Sequence, residues 1–311
     1  MSMTAHTRRQ PLTAALFTLL AAATLTLQPG TAQAVTLYVG EQNGANVRTF
    51  DAATGASLNP NFITGTTNTN GLLISGGTLF VADISAKKVG AYSAATGAAI
   101  NANFIPSAAL SGPTAMVSLG NNLLVANRTA GQIRQFDATT GATLNATFIT
   151  GLTQPFGLLL SGNNLFVANQ GGSTVGLYDA TTGAAISPSF ISGLSAPLGL
   201  ALSGNHLFVA NYSLNTVGEY NATTGAPINA SFITAGLNGP EGLAILGNTL
   251  YVGNQTNGNV GTYDATTGAT LNAAFLTGLS SPTTLAFSVP EPGSAAFALL
   301  GGLGLLARRR R

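Results

Sequence analysis

The chain has 311 residues, of which 45% are hydrophobic and only 6% charged, and it contains no Cys and no Trp. The ample apolar content excludes a chain that is disordered through high net charge. The lack of Cys excludes a disulfide framework and thiol-based metal or redox chemistry. Six of the eleven basic residues lie at the two ends, so the central part is slightly acidic, which argues against a nucleic-acid partner.

The first 34 residues have the pattern of a secretory signal peptide. Arg8 and Arg9 form a positive amino-terminal region, residues 12–27 are apolar, and Ala32 and Ala34 are the small residues of a cleavage site. A permanent membrane helix is disfavoured because a turn sequence and then a strand pattern follow at once. We therefore predict export and removal of this segment by a signal peptidase, with the Sec and twin-arginine routes both open.

Self-similar segments fill residues 35–288. The pattern Asp-Ala-Thr-Thr-Gly recurs every 42 to 44 residues, with first residues Asp51, Ser93, Asp137, Asp179, Asn221 and Asp264. This period is typical of β-propeller blades, which have about 40–45 residues and four strands each. Each repeat contains four short apolar runs between Gly, Asn and Pro clusters, as at 199–203, 206–210, 216–221 and 230–234. Runs of this length predict strands.

Aromatic side chains recur at one register on three strands of the repeat. On the second strand they are Tyr38, Phe80, Phe166, Phe208 and Tyr251, with Leu124 in the remaining repeat. On the third they are Phe50, Tyr92, Phe136, Tyr178, Tyr220 and Tyr263, and on the fourth Phe62, Phe104, Phe148, Phe190, Phe232 and Phe275. Recurrence at one depth in every repeat predicts packing between neighbouring twisted sheets.

The two ends of the repeat region complement each other. The region begins at Thr36 with a second strand and ends at 284–288 with a first, inner strand that has no successor. Pairing of these strands gives six whole blades and leaves no long exposed edge. We therefore predict an all-β fold, a six-bladed β-propeller of four-stranded antiparallel blades closed by the C-terminal inner strand. Both ends then lie on the face with the turns between first and second strands, here called the tail face; the opposite face is the far face.

The C-terminal segment 289–311 has three parts in order: a Pro-Glu-Pro break, a short apolar stretch and four arginines. Its defining residues are Val289, Pro290, Glu291, Pro292, Arg308, Arg309, Arg310 and Arg311. The apolar stretch is short for a membrane span, which needs about 20 residues. This tail resembles the PEP-CTERM sorting signal; an ordinary membrane anchor is the alternative. The resemblance implies that the tail holds the protein transiently at the inner membrane of a Gram-negative bacterium and is then removed by an exosortase-type enzyme. The resemblance further implies delivery of the protein to the cell surface or to an extracellular matrix of exopolysaccharide and biofilm.

The repeats resemble NHL-type six-bladed propellers over residues 35–288. The matching features are an apolar second strand that ends in Val-Ala-Asn, as at 167–169, and a following Val-x-x-Tyr-Asp, as at 175–179. The WD40 alternative lacks its Trp-Asp and Gly-His marks. Because the basic Arg/His pair of NHL repeats is also missing, the RNA- and protein-binding roles of that family are not implied.

Two repeated polar positions have structural and functional interpretations. The aspartates of the Asp-Ala-Thr-Thr-Gly pattern enter a tight turn and are predicted to be structural: Asp51, Asp137, Asp179 and Asp264. The second strands end in a ring of oxygen-bearing side chains: Glu41, Asp83, Asn127, Asn169, Asn211 and Asn254. If they converge near the axis, Ca²⁺ is a candidate ligand with Glu41 and Asp83 as anchors; satisfied loop backbone is the alternative. No other cofactor is predicted.

Six-bladed propellers also include gluconolactonase-like hydrolases, which use a divalent metal with nearby acids. An enzyme of this kind needs an acid cluster, and the candidates are Glu41, Asp83, Glu219 and Glu241. The only His in the repeat region, His206, occupies a turn position, so a general base is hard to nominate.

Four side chains break the repeat in successive blades: Arg128, Phe156, Tyr212 and Glu241. We predict that they lie in loops of the far face and form an exposed patch that binds polysaccharide or a matrix protein; neutral variation of surface loops is the alternative. The sequence thus predicts an exported, non-catalytic binding or scaffold module. The alternative is a secreted metal-dependent lactonase-like hydrolase.

Overall fold

A computed structural model describes residues 34–288, which form six antiparallel sheets of four strands each. The strands are β1 (Thr36–Glu41), β2 (Asn46–Asp51), β3 (Ser57–Thr64), β4 (Thr69–Ser75), β5 (Thr78–Asp83), β6 (Lys88–Ser93), β7 (Ala99–Ile105), β8 (Pro113–Leu119), β9 (Asn122–Asn127), β10 (Gln132–Asp137), β11 (Thr143–Ile149), β12 (Pro155–Ser161), β13 (Asn164–Asn169), β14 (Thr174–Asp179), β15 (Ala185–Ile191), β16 (Pro197–Ser203), β17 (His206–Asn211), β18 (Thr216–Asn221), β19 (Pro227–Ile233), β20 (Pro240–Leu246), β21 (Thr249–Asn254), β22 (Asn259–Asp264), β23 (Thr270–Leu276) and β24 (Pro282–Ser288). Three single-turn 3₁₀ helices lie at Ser107–Ala109, Arg128–Ala130 and Tyr212–Leu214.

The ring closes as predicted, because the last strand completes the first blade. Blade 1 has the strand order β24-β1-β2-β3, and blades 2 to 6 follow in chain order with four consecutive strands each. β24 pairs antiparallel with β1, with Thr36 opposite Ser288. The inner strands contact one another in a cycle, from β4 through β8, β12, β16, β20 and β24 back to β4. The all-β, six-bladed prediction is confirmed.

The inner strands begin two residues earlier than predicted. β16 starts at Pro197 rather than at 199, and its register against β17 shifts between Pro197 and Leu200. Five of the six inner strands start with Pro, which is tolerated as the first residue of a strand because it has no N–H to donate. The register shift is a β-bulge, and it turns the second residue of the strand out of the regular pleat.

Hydrophobic clusters lie between adjacent blades, one at each of the six junctions. Phe80 and Phe104 of blade 2, for example, pack in one cluster with Leu123 and Phe136 of blade 3. The second- and fourth-strand aromatics of five blades form pairs with ring centroids 5.3–5.7 Å apart. The aromatic registers therefore form the core as predicted, although three fourth-strand rings are only half-buried: Phe62, Phe190 and Phe275.

The Asp-Ala-Thr-Thr-Gly segments form identical turns, here called DATTG turns, on the tail face. Asp179 Oδ1 accepts hydrogen bonds from the N–H of Thr181 (3.0 Å) and of Thr182 (2.7 Å) and from the Thr182 hydroxyl (2.9 Å). The backbone bond from Thr182 is the main reason that the pKa of Asp179 lies below its usual value. Gly183 ends the turn with φ +75°, and a Cβ there would lie 2.2 Å from the Phe148 carbonyl oxygen of the preceding blade. The aspartates are structural, as predicted.

Replacing Gly183 by Ala tests this close approach between blades. We expect a loss of about 2–5 kcal/mol in the free energy of unfolding, because left-handed backbone costs about 1–2 kcal/mol and overpacking adds about 1–3 kcal/mol. Gly193→Ala is the matched control, since Gly193 has φ +74° but no atom within 4 Å of its added Cβ. Urea unfolding of both variants gives the difference. Equal losses would show that the contact with Phe148 is unimportant.

Candidate functional site

The inner strands surround a narrow central channel. Their second residues form a ring: Asn70, Thr114, Phe156, Leu198, Glu241 and Thr283. Gly199, which follows Leu198, lets neighbouring inner strands approach closely, since a Cβ there would lie 2.0 Å from the Glu241 carbonyl oxygen. At this ring the channel holds a cavity of only about 110 Å³, whose lining also includes apolar side chains such as Leu158, Leu200 and Leu243.

The channel widens on the far face into a cavity of about 460 Å³, here called the channel mouth. Its rim is formed by the residue that follows each second strand: Gln42, Ile84, Arg128, Gln170, Tyr212 and Gln255. Its floor includes Asn70, Phe156, Leu198 and Glu241. Each blade therefore contributes one side chain to the rim, and these side chains differ in chemistry. The volume is in the range of small-ligand sites, which is about 300–1,000 Å³.

All four residues predicted as a binding patch line the channel mouth. Their local setting differs from the prediction in two respects. Phe156 and Glu241 are the second residues of β12 and β20 rather than loop residues. Glu241 is only 2% exposed, so the four residues line a recess rather than an exposed patch. The bulge after the leading Pro explains both differences, because it directs the second side chain of the inner strand towards the axis.

Side-chain hydrogen bonds connect neighbouring rim residues across blade boundaries. Arg128 Nε donates to Gln170 Oε1 (3.0 Å), and Arg128 Nη2 donates to Gln154 Oε1 (3.3 Å). The Tyr212 hydroxyl donates to Gln255 Oε1 (2.8 Å), and Gln255 Nε2 donates to Gln42 Oε1. The rim is thus ordered by neutral amides, and they also hold the Arg128 guanidinium.

Glu241 is the buried acid of the mouth. Within residues 34–288 its side chain makes no hydrogen bond and no ion pair. Burial raises the pKa of Glu241 to about 8, and the charge of Arg128 opposes this only in part. The carboxyl group is therefore mostly protonated at pH 7.

Glu41 and Asp83, the predicted calcium anchors, hold loops instead of facing the channel. Glu41 Oε1 accepts the N–H of Ser280 (2.9 Å) and lies 3.5 Å from Arg48 Nη1. The two carboxylate oxygens of Asp83 accept the N–H (2.6 Å) and the hydroxyl (2.6 Å) of Thr67. Neither acid lines the channel or its mouth. The expected convergence on the axis is therefore not observed, and across 34–288 no three His, Cys, Asp or Glu side chains gather as metal ligands.

Three asparagines of that ring, Asn127, Asn211 and Asn254, have the same loop-holding role, whereas Asn169 Oδ1 is buried without a hydrogen-bond partner among the described residues. Asn127 Oδ1 accepts the N–H of Ser111 (2.8 Å), and Asn254 Oδ1 accepts the N–H of Asn238 (3.0 Å). Each bond joins the end of a second strand to the loop that enters the inner strand of the same blade. These bonds agree with the alternative to a calcium site, in which the ring residues satisfy loop backbone groups.

The four acids considered for a hydrolase lie in separate places. Glu219 Oε1 is 2.6 Å from His206 Nδ1, next to the turn on the tail face, whereas Glu241 lies at the far-face mouth. Glu41 and Asp83 are the last residues of β1 and β5, in two different blades. The described residues thus show no common acid cluster.

The neutral rim residues were not identified from the sequence. Gln42, Gln170 and Gln255 follow the repeated Glu or Asn at the end of the second strand, yet their own position holds a different residue type in other blades. A variable position directly after a repeated one is the signal that would have identified them.

Several predicted positions lie outside the described residues. They are Ala32 of the cleavage site and, in the tail, Val289, Pro290, Glu291, Pro292 and Arg308 to Arg311. Ala34 is the first described residue and is exposed. In the range 34–288, no helix is long and apolar enough to cross a membrane.

Comparisons with known proteins identify the tail and the fold. Residues 288–311 match the PEP-CTERM protein-sorting motif. A chain of the crystal structure of a nidogen/laminin complex superposes with a TM-score of 0.66 at 13% identity, covering 81% of this chain and 98% of that one. The computationally designed Ika8 protein superposes with a TM-score of 0.49 at 18% identity, covering 81% of this chain and 74% of that one. No curated protein matches the sequence.

At 13% identity the match to the nidogen/laminin complex bears on the fold alone and identifies no NHL subtype. The sorting motif indicates export and implies processing by an exosortase-type enzyme. The chain is therefore an exported six-bladed β-propeller that carries a C-terminal PEP-CTERM sorting motif.

Proposed function

We propose that the protein is a non-catalytic binding module of the cell surface or extracellular matrix of a Gram-negative bacterium. In this proposal it is processed at both ends, by signal peptidase and by an exosortase-type enzyme, and its channel mouth binds a polysaccharide or a matrix protein. The observation that carries the proposal is the gathering of all four repeat-breaking residues, Arg128, Phe156, Tyr212 and Glu241, around one cavity.

The chemistry of the mouth supports ligand binding. Nearly all other aromatic rings occupy repeated core positions, whereas Phe156 and Tyr212 line a cavity that is open to solvent. Aromatic and Arg side chains dominate the energy of many binding sites, and amides fix the orientation of a polar ligand. The mouth combines these groups within a ring that is otherwise nearly regular.

The position of the mouth supports surface display. Thr36 and Ser288 are paired side by side on the tail face, so the sorting tail leaves from that face. The mouth opens on the far face. A protein held at the membrane by its tail would therefore present the mouth outwards, towards matrix components.

The hydrolase alternative receives less support, because it needs acids that act together. Glu41 and Asp83 are engaged by loop N–H groups, and Glu219 is bonded to His206 on the other face. Glu241 is the only one of the four at the mouth.

The double variant Phe156→Ala with Tyr212→Ala tests the proposed site. We expect at least a tenfold loss of retention on the isolated matrix of the producing cells, because two ring contacts of about 1 kcal/mol or more each are removed. Retention is measured by co-sedimentation and immunoblotting.

Leu214→Ala with Ile186→Ala is the control for this experiment, since these side chains are 61% and 56% exposed and do not line the mouth. Unchanged retention of the Phe156/Tyr212 variant would refute the site. Lactone hydrolysis that disappears in Glu41→Gln would instead favour the hydrolase.

A further inference from the structure

The carboxyl group of Glu241 lies in a place that is costly for a negative charge. Glu241 is only 2% exposed and lines both the narrow channel and its mouth. Its side chain has no hydrogen-bond partner within residues 34–288. A buried carboxylate is strongly unfavourable unless a cation or several donors face it. Without such a partner the group keeps its proton, in agreement with its pKa of about 8.

The protein does not use its own nearby cation to neutralise Glu241. The charged side chains that line the channel and its mouth are Arg128 and Glu241, and Tyr212 is the other titratable group there. Arg128 is held by the side-chain oxygens of Gln170 and Gln154 and makes no ion pair among the described residues. The charge of Arg128 thus acts on Glu241 only from a distance, and the carboxyl group is left without a direct partner that a cation of the ligand could provide.

The other groups of the mouth are those expected around an ammonium group on a sugar. Phe156 and Tyr212 offer aromatic faces, which attract cations and pack on apolar faces of rings. Asn68, Asn70 and Gln42 add neutral amides, each both donor and acceptor, which suit hydroxyl groups. Gln42 and Asn68 each accept one bond from a neighbouring amide, and their own NH₂ groups remain for hydroxyl groups of a sugar, which a Lys side chain does not offer.

We propose that the channel mouth recognises the free amine of an amino sugar in a polysaccharide, with Glu241 as its counter-ion and the rings and amides around the sugar. This inference rests on the proposed binding function and names its ligand class. On binding, the ammonium group pairs with the Glu241 carboxylate, and the proton that leaves Glu241 passes to the solvent. No covalent bond is made or broken.

Calorimetry with two matched probes tests the proposal: a glucosamine trimer and its fully N-acetylated counterpart, with the purified full-length chain at pH 6.5. We expect the free-amine trimer to bind at least tenfold more tightly. Glu241→Gln should reduce the preference to within twofold, because the amide keeps the shape but cannot become an anion. Glu219→Gln, which alters a buried acid near the tail face and far from the mouth, should leave the preference unchanged. Equal binding of both probes to the wild type, or a preference that survives in Glu241→Gln, would overturn the proposal.

Proton release gives a second readout that needs no variant. In two buffers of different ionisation enthalpy, at a pH low enough for the amines of the trimer to be fully charged, binding to the wild type should release close to one proton, since Glu241 is protonated beforehand. No release would contradict the assignment of Glu241. A trilysine peptide that binds as tightly as the sugar would overturn the sugar as the source of the amine. If the Phe156/Tyr212 variant loses matrix retention but no amine preference exists, the proposed function stands and this inference fails.

Discussion

A chain that ends after Ser281 should fail to unfold cooperatively, whereas a chain that ends after Ser288 should keep its full stability. The shorter chain lacks β24, which supplies the inner strand of blade 1 and contacts both β4 and β20. Leu285 packs with Leu37 and Val39, and the Phe287 ring lies 5.0 Å from that of Tyr251.

Loss of this strand removes several buried side chains, worth about 1.5–3 kcal/mol each, and a ladder of hydrogen bonds worth about 1 kcal/mol each. The sum, on the order of 10 kcal/mol, is comparable to the whole stability of a domain, which is about 5–15 kcal/mol. Urea unfolding followed by circular dichroism and by tyrosine fluorescence measures the effect. The chain that ends after Ser288 is the control, because it lacks only the tail. Coincident transitions for the two chains would show that ring closure is not needed for the fold.

The free energy of unfolding should fall between about pH 4.5 and pH 8 because of Glu241. Its pKa is raised to about 8 in the folded state, mainly by burial, so in this window the folded protein binds a proton that the unfolded chain has lost. Stability therefore decreases as the pH rises through the window and is constant above it. Folding lowers the pKa values of the four DATTG aspartates, so these residues stabilise the protein at neutral pH. This stabilisation is lost only at more acidic pH, when the pH falls through the folded-state pKa values of the aspartates.

Glu241→Gln should remove this pH dependence, because glutamine resembles the protonated acid at every pH. The rise in the pKa of Glu241 to about 8 corresponds to a loss of a few kcal/mol in the free energy of unfolding at high pH. We therefore expect the variant to melt about 5–15 °C above the wild type at pH 9 and close to it at pH 5. Thermal scans at pH 5, 7 and 9 measure this difference. Glu219→Gln, which alters another buried acid far from the mouth, should keep the loss of stability that the wild type shows between about pH 4.5 and pH 8. Identical profiles for Glu241→Gln and the wild type would mean that Glu241 is ionised in the folded protein.

The ring was predictable from the sequence because its determinants repeat. The repeat pattern makes Thr36 the start of a second strand and 284–288 an inner strand. These two strands complete one blade only if they pair, and the structure shows this pairing. Strand bounds were less predictable, since Pro197 and its equivalents were interpreted as the end of a loop. The β-bulge makes Pro197 the first residue of the strand, and this depends on pairing with Asn211 rather than on local preference.

The mouth was predictable only in part. Departures from the repeat identified Arg128, Phe156, Tyr212 and Glu241, and the ring brought them to one cavity. The burial of Glu241 was not predictable, because it arises from the approach of inner strands that are distant in the chain, such as the contact of Gly199 with the Glu241 carbonyl. The same is true of Glu41 and Asp83, whose loop N–H partners appear only once each blade is folded.

Ring closure also has a kinetic consequence. Thr283 donates a hydrogen bond to the carbonyl of Gly40, 243 positions away, so β1 keeps an unpaired edge until the last strand has been made. Such an edge accepts the equivalent strand of another copy as readily as its own. At high local concentration during export, exchange of β24 between molecules would produce swapped oligomers with every native contact intact, and slow folding would favour them over the monomer.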